Sequence, residues 1–415
     1  MLTLLRIKDP FIGFNELKTK WVNERSWTYR NIFQKPSLAT GSTAELVLDG
    51  LDTFATVRLD GKVILKSTNM FLAHRVDITK ALEAEDKEHV LEINFDCAMT
   101  RARALRDQDT THNWASFNGD PARMAVRKAQ YHWGWDWGPG LMTAGIWRGV
   151  RVEVYSARIA DLWADVQLAV DYREAKVSAF AEVDGPGSYR AKFTLSLLGE
   201  EVAAGESTHT AKVTFDIKQP SLWWPHGYGN PSLYELKVTL TNEEHELHQL
   251  TKKIGIRTAE VIQRPDKHGK SFFFRINGVD IFCGGSCWIP ADSLLPGITP
   301  ERYRKWVELM VSGRQVMTRF VFTLYLLGFS LIDKSLGRRN LRRRQLLRRL
   351  RRTRRNGLAR LHVRLRELPN LARPTPVNQT RSSVQRAQTA SPSLDLDLCR
   401  KQRRLPGSRT ERTRV

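Results

Sequence analysis

A chain of 415 residues, 41% hydrophobic and 27% charged, has room for two or three domains with cores of their own, and only four cysteines exclude a small disulfide-framed scaffold. The formal charge of +22 averages two unlike regimes: 25 Lys and Arg against 5 Asp and Glu follow Arg319, which accounts for +20 and leaves +2 for residues 1–319. All 12 tryptophans precede position 320, so the body reads as a near-neutral globular protein and the basicity belongs to the tail.

The N-terminus, from Met1 to Lys8, has a brief apolar run without a basic region before it or a small-residue cleavage site after it, and so does not read as a signal peptide. Cys97, Cys283, Cys287 and Cys399 are scattered, and the single Asn-x-Ser/Thr acceptor, Asn378, lies in the tail. A reducing, cytoplasmic location is the expectation.

Residues 1–156 alternate in short runs with turn punctuation. Asp60-Gly61 between the runs Thr56–Leu59 and Lys62–Ile64 predicts a hairpin, because that pair supplies the positive φ angles of a type I′ turn. Trp27, Phe33, Leu46, Leu48, Phe54, Val57, Leu91, Ile93 and Phe95 are the candidate core of a sandwich. Arg101 to Asp120 is polar and irregular and reads as a long loop.

The segment Gln130 to Arg148 concentrates the chemistry. Trp133, Trp135 and Trp137 alternate with Gly134 and Asp136, so an extended backbone would put the indoles on one face. Such a strip suits a sugar: indole faces cover the C–H surface of a pyranose, and a carboxylate accepts from two neighbouring hydroxyls. The competing reading is a Trp-rich sandwich core with Asp136 as a buried turn acceptor. His132 stands beside it as a ligand contact or a hydrogen-bonded structural histidine.

Residues 157–255 alternate again, with strands predicted at Ala179–Val183, Lys192–Leu197, Lys212–Ile217 and Leu233–Leu240, the pattern of an immunoglobulin-like β-sandwich. Pro225 breaks any central strand through Trp223 and Trp224. In 256–319, Asn277-Gly278 predicts a second tight hairpin. Thr299 and Pro300 then start a helix whose stripe is Tyr303, Trp306, Val307 and Met310, and Gln315–Arg319 reads as the next strand. Strand, helix, strand is how a (β/α)8 barrel opens.

Residues 320–415 do not continue it. Phe320–Ile332 is too short for a membrane span, and the arginine clusters of Arg338–Arg366 among leucines, followed by Pro, Ser and Gln, favour disorder. The break is abrupt and falls inside a structural unit, as a translated frameshift or retained intron would. The competing reading is a basic arm that neutralises phosphates.

Beyond these patterns, the Trp133–Gly138 motif, Leu51–Ala55, Asn69–Phe71, Arg127–His132 and Cys287–Asp292 resemble the glycoside hydrolase family 2 β-mannosidases of fungal intracellular type, from about Asp9 to Arg319. The resemblance implies a mostly β chain: a jelly-roll sugar-binding domain over 1–156, the immunoglobulin-like domain, then the start of the catalytic barrel. It implies retaining hydrolysis of terminal β-mannose by two glutamates. Those belong to barrel strands beyond Arg319, so no catalytic residue is assigned and the chain is expected to be inactive as it stands. For mannose-terminated oligosaccharide as partner, it implies Asp136 as acceptor of ring hydroxyls and Trp135 and Trp288 as walls, with Cys287 where many members carry Asn. No cofactor is expected, and Cys283 with Cys287, lacking a nearby His pair, does not predict a zinc site. A non-catalytic carbohydrate-binding fragment, or nucleic-acid binding through the tail, are the alternative functions.

Overall fold

The computed structural model describes residues 7–84, 88–114, 119–135, 137–208, 211–243, 245–320 and 364–365. The expectation of a disordered or frameshifted tail therefore lies outside the described residues, apart from one two-residue strand.

The first domain holds strands β1 (Trp27–Gln34), β2 (Thr43–Leu48), β3 (Leu51–Asp52), β4 (Ala55–Leu59), β5 (Lys62–Ser67), β6 (His74–Asp77), β7 (Glu88–Phe95), β8 (Gly145–Ile146) and β9 (Val150–Tyr155), with helices α1 (Asn15–Thr19), α2 (Thr79–Glu83) and α3 (Ala98–Gln108). One sheet runs β1-β7-β4-β5, a second β6-β2-β9, and β3 pairs with β8. Alternation in β2, β4 and β7 sends Leu46, Leu48, Val57, Leu91, Ile93 and Phe95 into one core with Trp27. Phe33 packs half-buried at its margin and Phe54 enters a separate cluster under α3. Each fully buried aliphatic or aromatic side chain here contributes about 1.5–3 kcal/mol. The Asp60-Gly61 hairpin forms as its sequence dictates, with φ of 50° and 80°.

One sequence expectation fails here. Arg101 to Asp120 is not a continuous loop, because α3 runs through Gln108. Its buried stripe is made of alanines, Ala98 and Ala102 at i and i+4, packed on Phe54, Ala122 and Trp133. Arg103 on the polar side donates to Asp120 at 2.7 Å. A stripe of two alanines under arginines carries almost no hydropathy signal, although alanine is the strongest helix former.

The second domain is a sandwich of two antiparallel sheets. Its strands are β10 (Arg158–Leu168), β11 (Glu174–Asp184), β12 (Arg190–Leu197), β13 (Glu200–Ser207), β14 (Lys212–Lys218), β15 (Tyr234–Thr241) and β16 (Glu246–Ile254), ordered β10-β11-β14 against β13-β12-β15-β16. The core between them includes Leu162, Val177, Phe193, Leu195, Phe215, Leu236 and Val238, drawn from alternate positions.

Beyond it lie β17 (Ala259–Ile262), the pair β18 (Pro265–Asp266) and β19 (Gly269–Lys270), and the hairpin β20 (Phe273–Ile276) with β21 (Val279–Ile281). Asn277 and Gly278 turn that hairpin at φ 47° and 77°. Trp223 and Trp224 pack on its core of Phe274, Ile276 and Ile281. Next come β22 (Gly285–Trp288), α4 (Pro300–Ser312) and β23 (Met317–Phe320), with β22 and β23 parallel. Thr299 caps α4 by accepting from Arg302 N at 3.3 Å. Of the predicted stripe, Tyr303, Trp306 and Met310 are half-buried, whereas Val307 is 46% exposed. The last strand, β24 (Arg364–Leu365), pairs antiparallel with the edge of β1.

Candidate functional site

The tryptophan strip is not extended. Gln130–Trp133 coils into a 3-10 turn, Gly134 adopts φ +93°, and Trp135 and Gly138 then exchange backbone hydrogen bonds of 3.0 and 3.1 Å across a tight turn. Side-chain alternation requires β backbone at every position, and one glycine in the left-handed half of φ space cancels it. The three indoles consequently separate. Trp133 is buried with Phe54, Ala102 and Met142, while Trp137 packs against Met70, Ala129 and Tyr131. Trp135 is half-buried beneath the Arg123 guanidinium, whose Cζ lies 4.7 Å from the ring centroid. Asp136 lies outside the described residues.

Under the strip runs a buried polar network that sequence reasoning did not single out. Lys128 Nζ donates to Asp52 Oδ1 (2.6 Å), Asp52 Oδ2 (2.7 Å) and the Thr143 carbonyl (2.6 Å), giving each of its three protons an acceptor. Thr53 and Thr143 hydroxyls also donate to Asp52, the latter at 2.6 Å. Burial acts to raise the Asp52 carboxyl, but Lys128, His132 and the hydrogen bonds prevail and hold it below the usual carboxylate range. The same burial, reinforced by the Lys128 charge, pushes His132 down to about 3, so its imidazole is neutral. His132 Nε2 donates to the Ser293 carbonyl at 3.2 Å, and Nδ1 faces the Thr143 hydroxyl at 3.2 Å. Between its two readings, His132 therefore takes the structural one. The signal for the pair lay in Asp52, the lone charge within Leu51–Ala55, where a charge can be buried only with a partner; nothing local distinguishes Lys128 from the neighbouring Arg127.

The His132–Ser293 bond joins the strip to the loop that follows Trp288. Trp288 ends β22, half-buried, with its ring 6.3 Å from Tyr303 and 5.8 Å from Trp306. Leu295, further along the same loop, packs against the buried cluster of Met70, Ala129 and Tyr131, as does Trp137. The structure thus ties the segment of Trp135 to that of Trp288 through this loop. A cleft of about 390 Å³ is lined by Asn23, Glu24, Asp120, His132 and Trp133 among others. Neither Trp135 nor Trp288 lines it. Among the described residues no group of three or more His, Cys, Asp and Glu could hold a metal, and no helix is long and apolar enough to cross a membrane.

Residues 1–148 match the galactose-binding domain-like model of glycosyl hydrolase 2, and residues 157–257 match glycosyl hydrolases family 2. The chain is 71% identical over 320 residues to beta-mannosidase B of Aspergillus flavus, covering 76% of this chain and 38% of that protein. Beta-mannosidase B of Emericella nidulans is 66% identical with the same coverage. The chain thus spans under two fifths of the length of these relatives. Among solved structures, the beta-D-mannosidase of Dictyoglomus thermophilum superposes with a TM-score of 0.70 at 32% identity, over 77% of this chain and 40% of that one.

Proposed function

This chain belongs to glycoside hydrolase family 2 through residues 1–257, and on that premise we propose that it is the substrate-recognition part of a β-mannosidase. The complete protein hydrolyses terminal non-reducing β-D-mannose from oligosaccharides and glycoprotein glycans with retention, in the cytoplasm and without a cofactor. Residues 1–156 are its jelly-roll domain and 157–255 its immunoglobulin-like domain. Residues 256–319 open its (β/α)8 barrel, and 320–415 form a tail that takes no part. Trp135 and Trp288 wall the pocket for the terminal mannose, and Asp136 accepts hydrogen bonds from adjacent ring hydroxyls.

The observation that carries this reading is the 71% identity to a β-mannosidase across the stretch that contains both the tryptophan strip and the Trp288 loop. The parallel β22–α4–β23 unit supports a barrel opening. Retention requires two carboxyls about 5 Å apart, one as acid/base and one as nucleophile. This part of the chain contributes walls and hydroxyl acceptors, which orient the sugar without cleaving it.

Purified chain should therefore bind methyl β-D-mannoside, with a tryptophan emission change that Trp135→Ala diminishes, and give no turnover of an aryl β-mannoside. Measurable turnover would overturn the assignment of both glutamates elsewhere. An emission signal unmoved up to roughly millimolar mannoside would overturn the recognition role.

A further inference from the structure

Arg123 occupies a position that packing alone does not account for. It lies in the 3-10 turn Pro121–Ala125, which Asp120 starts by accepting from Ala122 N at 2.9 Å. Only 3% of the residue is exposed, and its Nε and Nη1 are buried without a hydrogen-bond partner. The adjacent carboxylate is committed elsewhere: Asp120 accepts from Arg103 Nε at 2.7 Å and lies 3.5 Å from Arg106 Nη1. Burial lowers the Arg123 pKa from the ordinary arginine value, yet a guanidinium stays protonated in a protein. A buried cation with unpaired donors is strongly unfavourable, and such groups persist where the surrounding fold holds them for a purpose. What Arg123 does meet is an indole face, that of Trp135.

Two further features place the Arg123 turn against the strip. The Arg123 carbonyl accepts from Gln130 Nε2 at 2.9 Å, so its turn is bonded to the first residue of the strip. Gly119, at φ +66°, leaves no room for a side chain: a Cβ there would lie 2.9 Å from the Trp133 carbonyl and 3.7 Å from Arg123 Nη1. The backbone bonds between Trp135 and Gly138 set the main chain of Trp135 and leave its side-chain torsions to packing.

We propose that Arg123 is a positioning residue for carbohydrate recognition: its guanidinium covers one face of Trp135 and fixes the indole plane against which a hexose ring stacks. The proposal rests on the reading of Trp135 as a wall of the sugar pocket. A wall that stacks on a ring must keep its plane within about 10–20° of the productive orientation. A rigid, planar, always-charged group does this better than an aliphatic one.

The test compares the 415-residue chain with Arg123→Met and Arg123→Lys, each with and without Trp135→Phe. Tryptophan emission and acrylamide quenching are read without ligand, methyl β-D-mannoside affinity by calorimetry, and folding by circular dichroism. Arg123→Met is expected to shift the emission and increase quenching only where Trp135 is present. It should weaken mannoside binding about tenfold or more, with Arg123→Lys intermediate. The same emission change in the Trp135→Phe background, or unchanged affinity in Arg123→Met, would overturn the proposal. If Arg123→Met does not fold, Arg123→Lys carries the comparison, and wild-type affinity and emission in it are the overturning result. Wild-type chain that binds no mannoside removes the sugar-wall reading and the recognition role with it, while the emission comparison still decides whether Arg123 sets the indole.

Discussion

Lys128 and Asp52 are 0% and 1% exposed, and their pairing is the price of carrying charge inside the first domain. Removing one partner would leave the other charged, buried and unpaired, which is why such pairs are costly to break while adding little net stability when whole. His132, packed on the same network, makes the arrangement sensitive to acid. Its folded pKa of about 3 lies below the ordinary value of 6.5, so the unfolded chain takes up a proton that the fold refuses. Stability is then complete above about pH 6.5 and falls as pH drops towards about 3, by at most ~1.4 kcal/mol per pH unit from this residue. Asp52 adds a loss of the same sign at lower pH, because a carboxyl held below its usual range stabilises the fold only while ionised. Urea midpoints between pH 7 and 4 should decline less steeply in His132→Gln than in the wild type. His74 and His248, also lowered chiefly by burial, are common to both chains and cancel in the comparison. Parallel declines would show that His132 is not kept neutral by the fold.

At the level of elements, β22 and β23 are pressed together so closely that Gly285 has no substitute. A Cβ at Gly285 would lie 1.7 Å from the Met317 carbonyl, a backbone atom that cannot step aside. Gly285→Ala should part the two strands and destabilise this region by about 1–3 kcal/mol. The readout is amide exchange at Val316 and Met317, which donate to the Gly284 carbonyl at 2.9 and 3.2 Å; unchanged protection there would contradict the close approach. The contrast with the hairpins shows what sequence conveys. Asp60-Gly61 and Asn277-Gly278 state their turns outright, because two consecutive positive φ angles restrict residue choice locally. Gly285 is required by a strand some thirty positions away, and nothing local announces it. Helix α3 leaves little trace in the sequence for a related reason, since its buried face is alanine and its exposed face arginine. The strip is the opposite case: its alternation is real in the sequence, and the φ of Gly134 undoes it.

Across the molecule, the proposed pocket draws on residues more than 150 positions apart, and its assembly depends on contacts that no motif encodes. Trp135 and Trp288 could be named from the chain because indole is rare and the resemblance marks both. That their segments are joined through His132 Nε2 on the Ser293 carbonyl, and through Leu295 on the cluster of Met70, Ala129 and Tyr131, is a fact of the tertiary fold. The place of Arg123 is a fact of the same kind, since an arginine in sequence carries no sign of whether its partner is a carboxylate or a ring. If one mannose touches both indoles, their contributions to binding cannot be independent. A double-mutant cycle of Trp135→Ala and Trp288→Ala, read as methyl β-D-mannoside affinity, should show a coupling of at least about 0.5 kcal/mol, since groups that share a ligand interact by about 0.5–3 kcal/mol. The loss of the first indole lets the sugar shift, so the second then costs less to remove. Additivity within about 0.3–0.5 kcal/mol is the signature of separate sites, and it would divide the two tryptophans between different surfaces even if each alone weakened binding.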